Sequence, residues 1–305
     1  DTPRNARRFV EAVNPKVAIF VKYEFWRNML GQLSRHDIPT YLISAIFRPS
    51  QIFFKPWGGM MRRALRSFTH IYVQDEASKQ LLGTIGYNAV DVVGDTRLDQ
   101  VIDTRAHAKV FPSLDMWTSG SGMTIVAGSS WPQDEAYYIP WLKEHPEVRA
   151  IIAPHEFDDK RLCSLVSELG GLEVAALWSQ IKDLASVPAQ VRYIVVDCFG
   201  ILSSLYKYGQ IAIVGGGFGA GIHNIPEAAV YGMPVIFGPH HNKFREATDL
   251  LRLGGAFTYN DAAGFAATID PLYSDSSVLR TASAAAADYI ETHTGATPRI
   301  FADIF

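Results

Sequence analysis

Cysteine is almost missing from this chain: 305 residues hold two, Cys163 and Cys198, far apart and without CxxC spacing. That excludes a disulfide frame and a thiolate metal site, and it reads as the reduced thiols of a cytosolic protein. Long apolar runs are missing too. The longest, such as residues 17–21, extend a few positions, whereas a membrane span needs about 20. No basic-then-apolar leader opens the sequence, which starts Asp1-Thr2-Pro3-Arg4. The nine histidines include His155 and the pair His240-His241 but no HExxH or other paired ligand spacing. There is no repeat at solenoid period and no low-complexity tract.

What is present is material for a core: 48% apolar residues against 19% charged, which excludes disorder. At roughly 100–200 residues per domain the length predicts two domains. A net charge of −3 hides an asymmetry. Residues 1–74 carry 12 Lys and Arg against four acids, while the remainder carries 16 basic and 27 acidic side chains. The acidic majority argues against nucleic acid as a partner. The basic first quarter fits either a local anionic partner, such as a phosphorylated substrate or lipid surface, or plain solvation of exposed helices.

Short β-branched runs alternate with longer helical patterns. Strands are expected at 17–21, 40–44, 70–73, 91–93, 124–127, 150–153, 193–196, 211–214 and 235–237. Several are apolar at consecutive positions, as parallel strands covered on both faces are. Helical patterns occupy 25–35, 58–67, 76–84, 134–145, 158–169, 244–253 and 276–293. This alternation means βαβ units and an α/β fold with parallel sheets. A seam is expected around 103–122, where Lys109 to Ser113 and Ser119-Gly120-Ser121-Gly122 break the periodicity before a fresh strand at Thr124. The second half then offers about four strands in succession. The first half opens on a helix, 3–13, with no strand before it, so the first domain is expected to be incomplete.

The most informative stretch runs from Ile211 to Glu246. A buried strand opens into Gly215-Gly216-Gly217-Phe218-Gly219-Ala220-Gly221, then His223-Asn224-Ile225-Pro226-Glu227 and a short helix. Glycines let backbone N–H groups approach a phosphate, and a helix start adds unpaired donors. Pro226 sits in the first turn, where a missing N–H costs nothing. Gly215, Gly217 and Ala220 fit a G-x-G-x-x-G/A dinucleotide turn, yet no acidic residue follows about 20 positions on, because residues 235–237 lead into Gly238-Pro239-His240. A dehydrogenase is therefore disfavoured. Asn224 and Glu227, three apart, fit a capping box as well as a ligand pair.

This segment resembles the Kdo (3-deoxy-D-manno-octulosonic acid) transferase family, with its block Gly-Gly-x-x-x-x-x-Gly-Gly-His-Asn-Pro-Leu-Glu followed by Pro-Val-x-x-Gly-Pro-His and Asn-Phe-[Arg/Lys]. The matching residues are Gly215, Gly216, His223, Asn224, Glu227, Pro234, Val235, Gly238, Pro239, His240, Phe244 and Arg245. The proline has moved one position, to Pro226. Gly128-Ser129-Ser130-Trp131, with Asp134-Glu135 beyond, is similar to the family's Gly/Ser-Ser-Thr-His loop. Gly94 to Asp99 is similar to Gly-Asn/Ser-x-Lys-Phe-Asp, and residues 21–28 to Glu-Thr-Glu-Leu-Trp-Pro-Asn. Two departures stand out. The family's Pro-Arg-His is Pro154-His155-Glu156, losing an arginine that could pair with phosphate. Its Met-Gly-Glu-Leu is Phe199-Gly200-Ile201-Leu202, losing a carboxylate.

The resemblance implies a GT-B glycosyltransferase of two Rossmann-like domains: 1–108 on the acceptor side and incomplete, 109–280 binding the CMP-sugar, and 281–305 a C-terminal helix bracing the first. It implies inverting transfer of Kdo from CMP-Kdo to a lipid A precursor in lipopolysaccharide biosynthesis, at the cytoplasmic face of the inner membrane, with no cofactor and no metal. Glu227 would hold the ribose hydroxyls, and amides from Gly221 through His223 to Asn224 the phosphate. Ser129 and Ser130 would add hydroxyl donors, while Pro154, His155, Glu156, Phe199 and Gly200 would frame the base. Glu24 matches a second family glutamate facing the interdomain cleft. The main base lies in a Gly-rich loop that has no counterpart here, so a chain that binds CMP but transfers poorly is expected. Arg48, Arg62, Arg63 and Arg66 would face an anionic acceptor or leaflet. The apolar stripe Trp57, Met60, Met61, Ala64, Leu65 and Phe68 reads as core. Another GT-B activity (a UDP-sugar transferase or epimerase) and a nucleotide-binding fragment without turnover remain the alternatives.

Overall fold

The computed structural model describes residues 1–119 and 122–305; the Gly120-Ser121 part of the expected seam lies outside the described residues. The chain forms two compact units, residues 1–100 with 293–305, and residues 101–292. The sequence pointed to divisions after 108 and 280. The difference at the C-terminus arises because the helix Ser276–Thr292 buries Ala282, Ala286, Tyr289 and Ile290 within the second unit.

The first unit carries four parallel strands, β1 (Ala18–Val21), β2 (Thr40–Ala45), β3 (His70–Val73) and β4 (Val90–Val92), in the order β1-β2-β3-β4. Its core is phenylalanine-rich: Phe25, Phe47, Phe53 and Phe68 pack edge-on or tilted, with centroids 4.7 to 6.4 Å apart. Such offset arrangements match the positive rim of one ring to the negative face of the next. The helix Ala296–Ile304 sets Ala296 and Ile300 against Tyr72 and Val93. Its start is tied down by Asp99, whose carboxylate accepts the N–H groups of Gly295 at 2.6 Å and Thr297 at 2.7 Å. An anion at those amides satisfies donors that a helix start leaves open.

The stripe expected to be core divides. Ala64, Leu65 and Phe68 are buried, but Trp57 is 74% and Met60 54% exposed. The helix Gly59–Leu65 has only seven residues, too few turns to hold all six positions on one face.

The second unit is a seven-stranded parallel sheet: β5 (Thr124–Ser130), β6 (Arg149–Pro154), β7 (Ala175–Leu177), β8 (Tyr193–Val195), β9 (Ile211–Val214), β10 (Val235–Phe237) and β11 (Ala256–Thr258), ordered β11-β10-β9-β5-β6-β8-β7. The β-branched run of β9 is buried at all four positions, as a strand covered by helices on both sides must be. The residues read as a seam contain a helix, Pro112–Ser119, with Leu114 and Trp117 buried. The chain leaves β5 toward β6 on one side and returns through β9 toward β10 on the other. That reversal opens a crevice beyond the carboxyl ends of β5 and β9, where parallel sheets bind ligands.

Candidate functional site

Three strand ends meet at this crevice. At the end of β5 the chain bulges: the register with β6 shifts between Gly128 and Ser130, and Ser129 takes a left-handed φ of 50°. That conformation is strained for a residue with a Cβ. The bulge directs the Ser130 carbonyl to accept the His155 N–H at 2.9 Å, joining the ends of β5 and β6. The end of β9 opens into the glycine turn, where Gly216 has φ of 93°, available only without a side chain. A buried carboxylate locks these ends together. Asp134, in the first turn of the helix Pro132–Glu144, accepts with Oδ2 from the Trp131 N–H at 3.1 Å and the Gly216 N–H at 3.0 Å. Burial pushes its carboxyl above the ordinary carboxylate range, with the two amides opposing.

Beside it, Glu135 accepts from the Ser130 hydroxyl at 3.1 Å and pairs with Arg161. Burial raises its carboxyl, and Arg161 pulls it back. Ser130 is therefore corrected as a ligand donor: its hydroxyl is buried and held between Glu135 and Tyr138, the latter at 2.8 Å. Ser129, within the last residues of β5, is partly exposed.

Two cavities flank Trp131. One, of about 600 Å³, is lined by Trp131, Gln133, His155, Gly216, Gly221 and His223 among others. The other, about 450 Å³, is lined by Trp131, Glu156, Phe157, Asp158 and Arg161 together with Pro132 and Ser130, the hydroxyl of Ser130 being turned to Glu135 and Tyr138. Pro154 is buried at the end of β6, and Glu156 is exposed at the second cavity. Phe199 is 79% exposed and stacks on Phe157, centroids 4.8 Å apart. Gly200, with φ of 81°, turns the chain after it.

The amides expected to form a phosphate nest are partly engaged. Gly221 N–H bonds the Gly216 carbonyl at 3.3 Å and His223 N–H the Gly215 carbonyl at 3.2 Å, because the glycine turn closes on itself. Asn224 and Glu227 do not form a backbone capping box. The Asn224 side-chain amide donates to Glu227 Oε1 at 2.7 Å instead, and burial raises the Glu227 carboxyl. Its second oxygen has no hydrogen-bond partner among the described residues.

In the first unit Glu24 is exposed in the loop after β1, and Arg48 lies over the Tyr23 ring at 5.8 Å. Arg63 and Arg66 are exposed. Arg62 is corrected as an acceptor-facing cation: its guanidinium donates to the carbonyls of Phe53 at 3.0 Å, Lys55 at 2.8 Å and Pro56 at 3.4 Å. Arg62→Glu should therefore lower the free energy of urea unfolding by about 1–3 kcal/mol through orphaned carbonyls. Arg63→Glu and Arg66→Glu should stay within about 0.5 kcal/mol of the parent.

Sequence reasoning missed Trp131, Asp134 and Arg161 as parts of the site. The Trp131 indole donates to His223 Nε2 at 3.3 Å. An acid pair just past a strand end was a signal for Asp134 and Glu135; nothing local marks Arg161. Among the described residues no group of three His, Cys, Asp or Glu side chains is placed to hold a metal. No helix among them is long and apolar enough to cross a membrane.

Two all-parallel α/β units, one with a glycine turn and a polar crevice at its topological reversal, define a protein of the GT-B class. Residues 1–100 match the family model described as 3-deoxy-D-manno-octulosonic-acid transferase (kdotransferase). Over 98% of this chain and 71% of its own length, the 3-deoxy-D-manno-octulosonic acid transferase of Bordetella pertussis is 26% identical. The enzyme of the same name from Aquifex aeolicus is 26% identical over 84% of this chain and 65% of itself. That of Haemophilus influenzae is 25% identical over 86% and 62%. The chain thus spans about two thirds of the length of these relatives. Among solved structures, the C-terminal CMP-Kdo binding domain of WaaA from Acinetobacter baumannii superposes with a TM-score of 0.51 at 18% identity, covering 63% of this chain and 98% of that domain. UDP-GlcNAc 2-epimerase from Neisseria meningitidis gives 0.65 at 12% identity, over 95% and 79%. Residues 1–100 thus match the Kdo transferase family model, and most of the chain is similar, at about a quarter identity, to enzymes named Kdo transferases.

Proposed function

We propose that this chain transfers Kdo from CMP-Kdo to a lipid A precursor, with inversion at the sugar, as a step of lipopolysaccharide biosynthesis at the cytoplasmic face of the inner membrane. The observation that carries the donor side is the crevice beyond β5, β6 and β9, with two adjoining cavities of about 600 and 450 Å³, in a chain that resembles a CMP-Kdo binding domain over 63% of its length. The phosphate and sugar occupy the first cavity. The cytosine lies against Phe157 and Phe199, whose stacked rings offer an exposed apolar shelf. Glu227, oriented by Asn224, accepts from the ribose hydroxyls through its remaining lone pairs.

On the acceptor side an attacking hydroxyl must lose a proton as the sugar–phosphate bond breaks. Glu24 is the carboxylate of the first unit placed for that neighbourhood by its family match, as a second acid beside a main base that residues 1–305 do not supply. Arg48, Arg63 and Arg66 present positive charge to a phosphorylated lipid. Arg62 acts there only by shaping the 53–56 loop.

Calorimetric competition separates this reading from a UDP-sugar enzyme: CMP should bind and UDP should fail to displace it. Glu227→Gln should weaken CMP about tenfold, the loss expected for hydrogen bonds to a charged acceptor, while leaving 2′-deoxy-CMP nearly unchanged. Tight UDP binding, or equal weakening of both cytidine nucleotides, would contradict the assignment. Release of CMP from CMP-Kdo in the presence of lipid A precursor tests turnover, and its absence alongside normal CMP binding would leave a binding fragment.

A further inference from the structure

The glycine turn offers fewer donors to an anion than its sequence promises. Of the residues lining the larger cavity, Gly216 donates its N–H to Asp134, Gly219 and Gly221 donate theirs to the Gly216 carbonyl, and His223 donates to the Gly215 carbonyl. Among the described residues no lysine or arginine lines that cavity. A phosphodiester placed there still needs positive charge, since an uncompensated anion out of water is costly. The position where the family motif has arginine holds His155.

His155 packs against two rings. Its ring stacks on Trp131, with centroids 4.6 Å apart and planes at 25°, and lies tilted against His223 at 4.3 Å and 34°. Two imidazoles so close do not both carry charge. The geometry decides between them. An indole N–H can only donate, so the contact from Trp131 Nε1 fixes His223 Nε2 as an acceptor and places the His223 proton on Nδ1. Burial, and then His155 itself, depress the basicity of His223 in the same direction. His155 meanwhile rests on the negative face of an indole, which favours a cation.

We propose that His155, in its imidazolium form, is the cation that pairs with the donor's phosphate in this chain, with His223 as its neutral Nδ1–H partner. This rests on the cytidine-nucleotide reading of the site. Binding of a phosphodiester is then linked to uptake of one proton, and affinity rises as pH falls through the histidine range. The other titratable groups around the stack do not supply that proton. Asp134 and Glu135 of the helix Pro132–Glu144 are held by amides and by Arg161 respectively. Glu156 and Asp158, exposed on the loop that carries His155, add negative charge near it and favour the cation. Arg161, from the helix Asp159–Glu168, is paired with Glu135. His240, after β10, bonds the Gly219 carbonyl through Nδ1 at 2.9 Å.

The probe is cytidine 5′-(methyl phosphate), whose single negative charge is constant across the range, titrated calorimetrically between about pH 5.5 and about pH 8. The parent chain should bind about tenfold more tightly at the acid end. His155→Arg should bind tightly with no pH slope. His155→Gln should bind weakly with no slope, and His223→Gln should keep the slope. Binding without a slope in the parent, or a slope that survives in His155→Gln but vanishes in His223→Gln, would overturn the proposal. No heat from this ester or from CMP at any pH would instead sink the cytidine-nucleotide reading, and this inference with it.

Discussion

Replacing Arg161 by methionine should lower the unfolding free energy by about 3–5 kcal/mol, the cost of leaving one partner of a buried ion pair alone. The side chain of Glu135 is only 1% exposed, and that of Arg161 20%. Methionine keeps most of the apolar stem, so the loss reports the charge rather than a cavity. What remains is a carboxylate at the first turn of the helix Pro132–Glu144, with the Ser130 hydroxyl as its main hydrogen-bond partner. Adding Glu135→Gln to Arg161→Met should recover most of the stability, since a neutral amide needs no counter-ion. The pH dependence follows from the direction of the shift. Burial holds the Glu135 carboxyl above its unfolded value even with Arg161 present, so the folded state binds the extra proton. The contribution is then complete below the unfolded pKa and is lost as pH rises through the folded one. Removing Arg161 takes away an opposing interaction and raises the folded value further. Urea melts of the single variant should therefore show stability increasing from about pH 7 to about pH 5, more steeply than the parent. A single variant within about 1 kcal/mol of the parent at neutral pH would show that the pair is not desolvated.

The inner strands were legible because each is a short, continuous β-branched run, and burial on both faces demands that pattern. The edge strands of the second sheet escape such reading: Ala175–Leu177 and Ala256–Thr258 are three residues each, too short to show a run. The helix Pro112–Ser119 falls inside the expected seam because proline and serine read as breakers. Pro112 is in fact its first residue, where proline is tolerated. The place of the site was equally legible, as glycines after a buried strand signal close backbone approach. Its chemistry was not. Whether the Ser130 hydroxyl is free depends on Glu135 and Tyr138, and whether Arg62 faces outward depends on three carbonyls of another loop. Those partners are fixed by tertiary packing, which spacing along the chain does not encode. In the proposed reading, fewer free loop amides and one less arginine shift the burden of anion recognition onto the Trp131, His155 and His223 cluster.

Gly215→Ala and Gly219→Ala should behave oppositely, although both lie in one turn at one cavity. A Cβ on Gly215 would collide with the Ser129 carbonyl and come within 2.8 Å of Asp134 Oδ2. Neither neighbour can give way. Ser129 is already in the left-handed region, and Asp134 is fixed by two amides. Gly215 itself is anchored, donating to the Gly128 carbonyl at 3.0 Å and accepting from the His223 N–H at 3.2 Å. The strain must open the junction of β5 and β9, with an expected loss of about 2–4 kcal/mol, at or above the usual cost of overpacking. Because His223 hangs from the Gly215 carbonyl, affinity for CMP should fall at least about tenfold in any folded Gly215→Ala protein, through loss of preorganisation. A Cβ on Gly219 meets only the Gly216 carbonyl at 3.7 Å, an ordinary contact, so the fold should change by less than about 0.5 kcal/mol. Thermal melts and calorimetry on the two variants check the contrast. Equal destabilisation would mean that the turn is loose as a whole, and that Asp134 does not hold it against the end of β5.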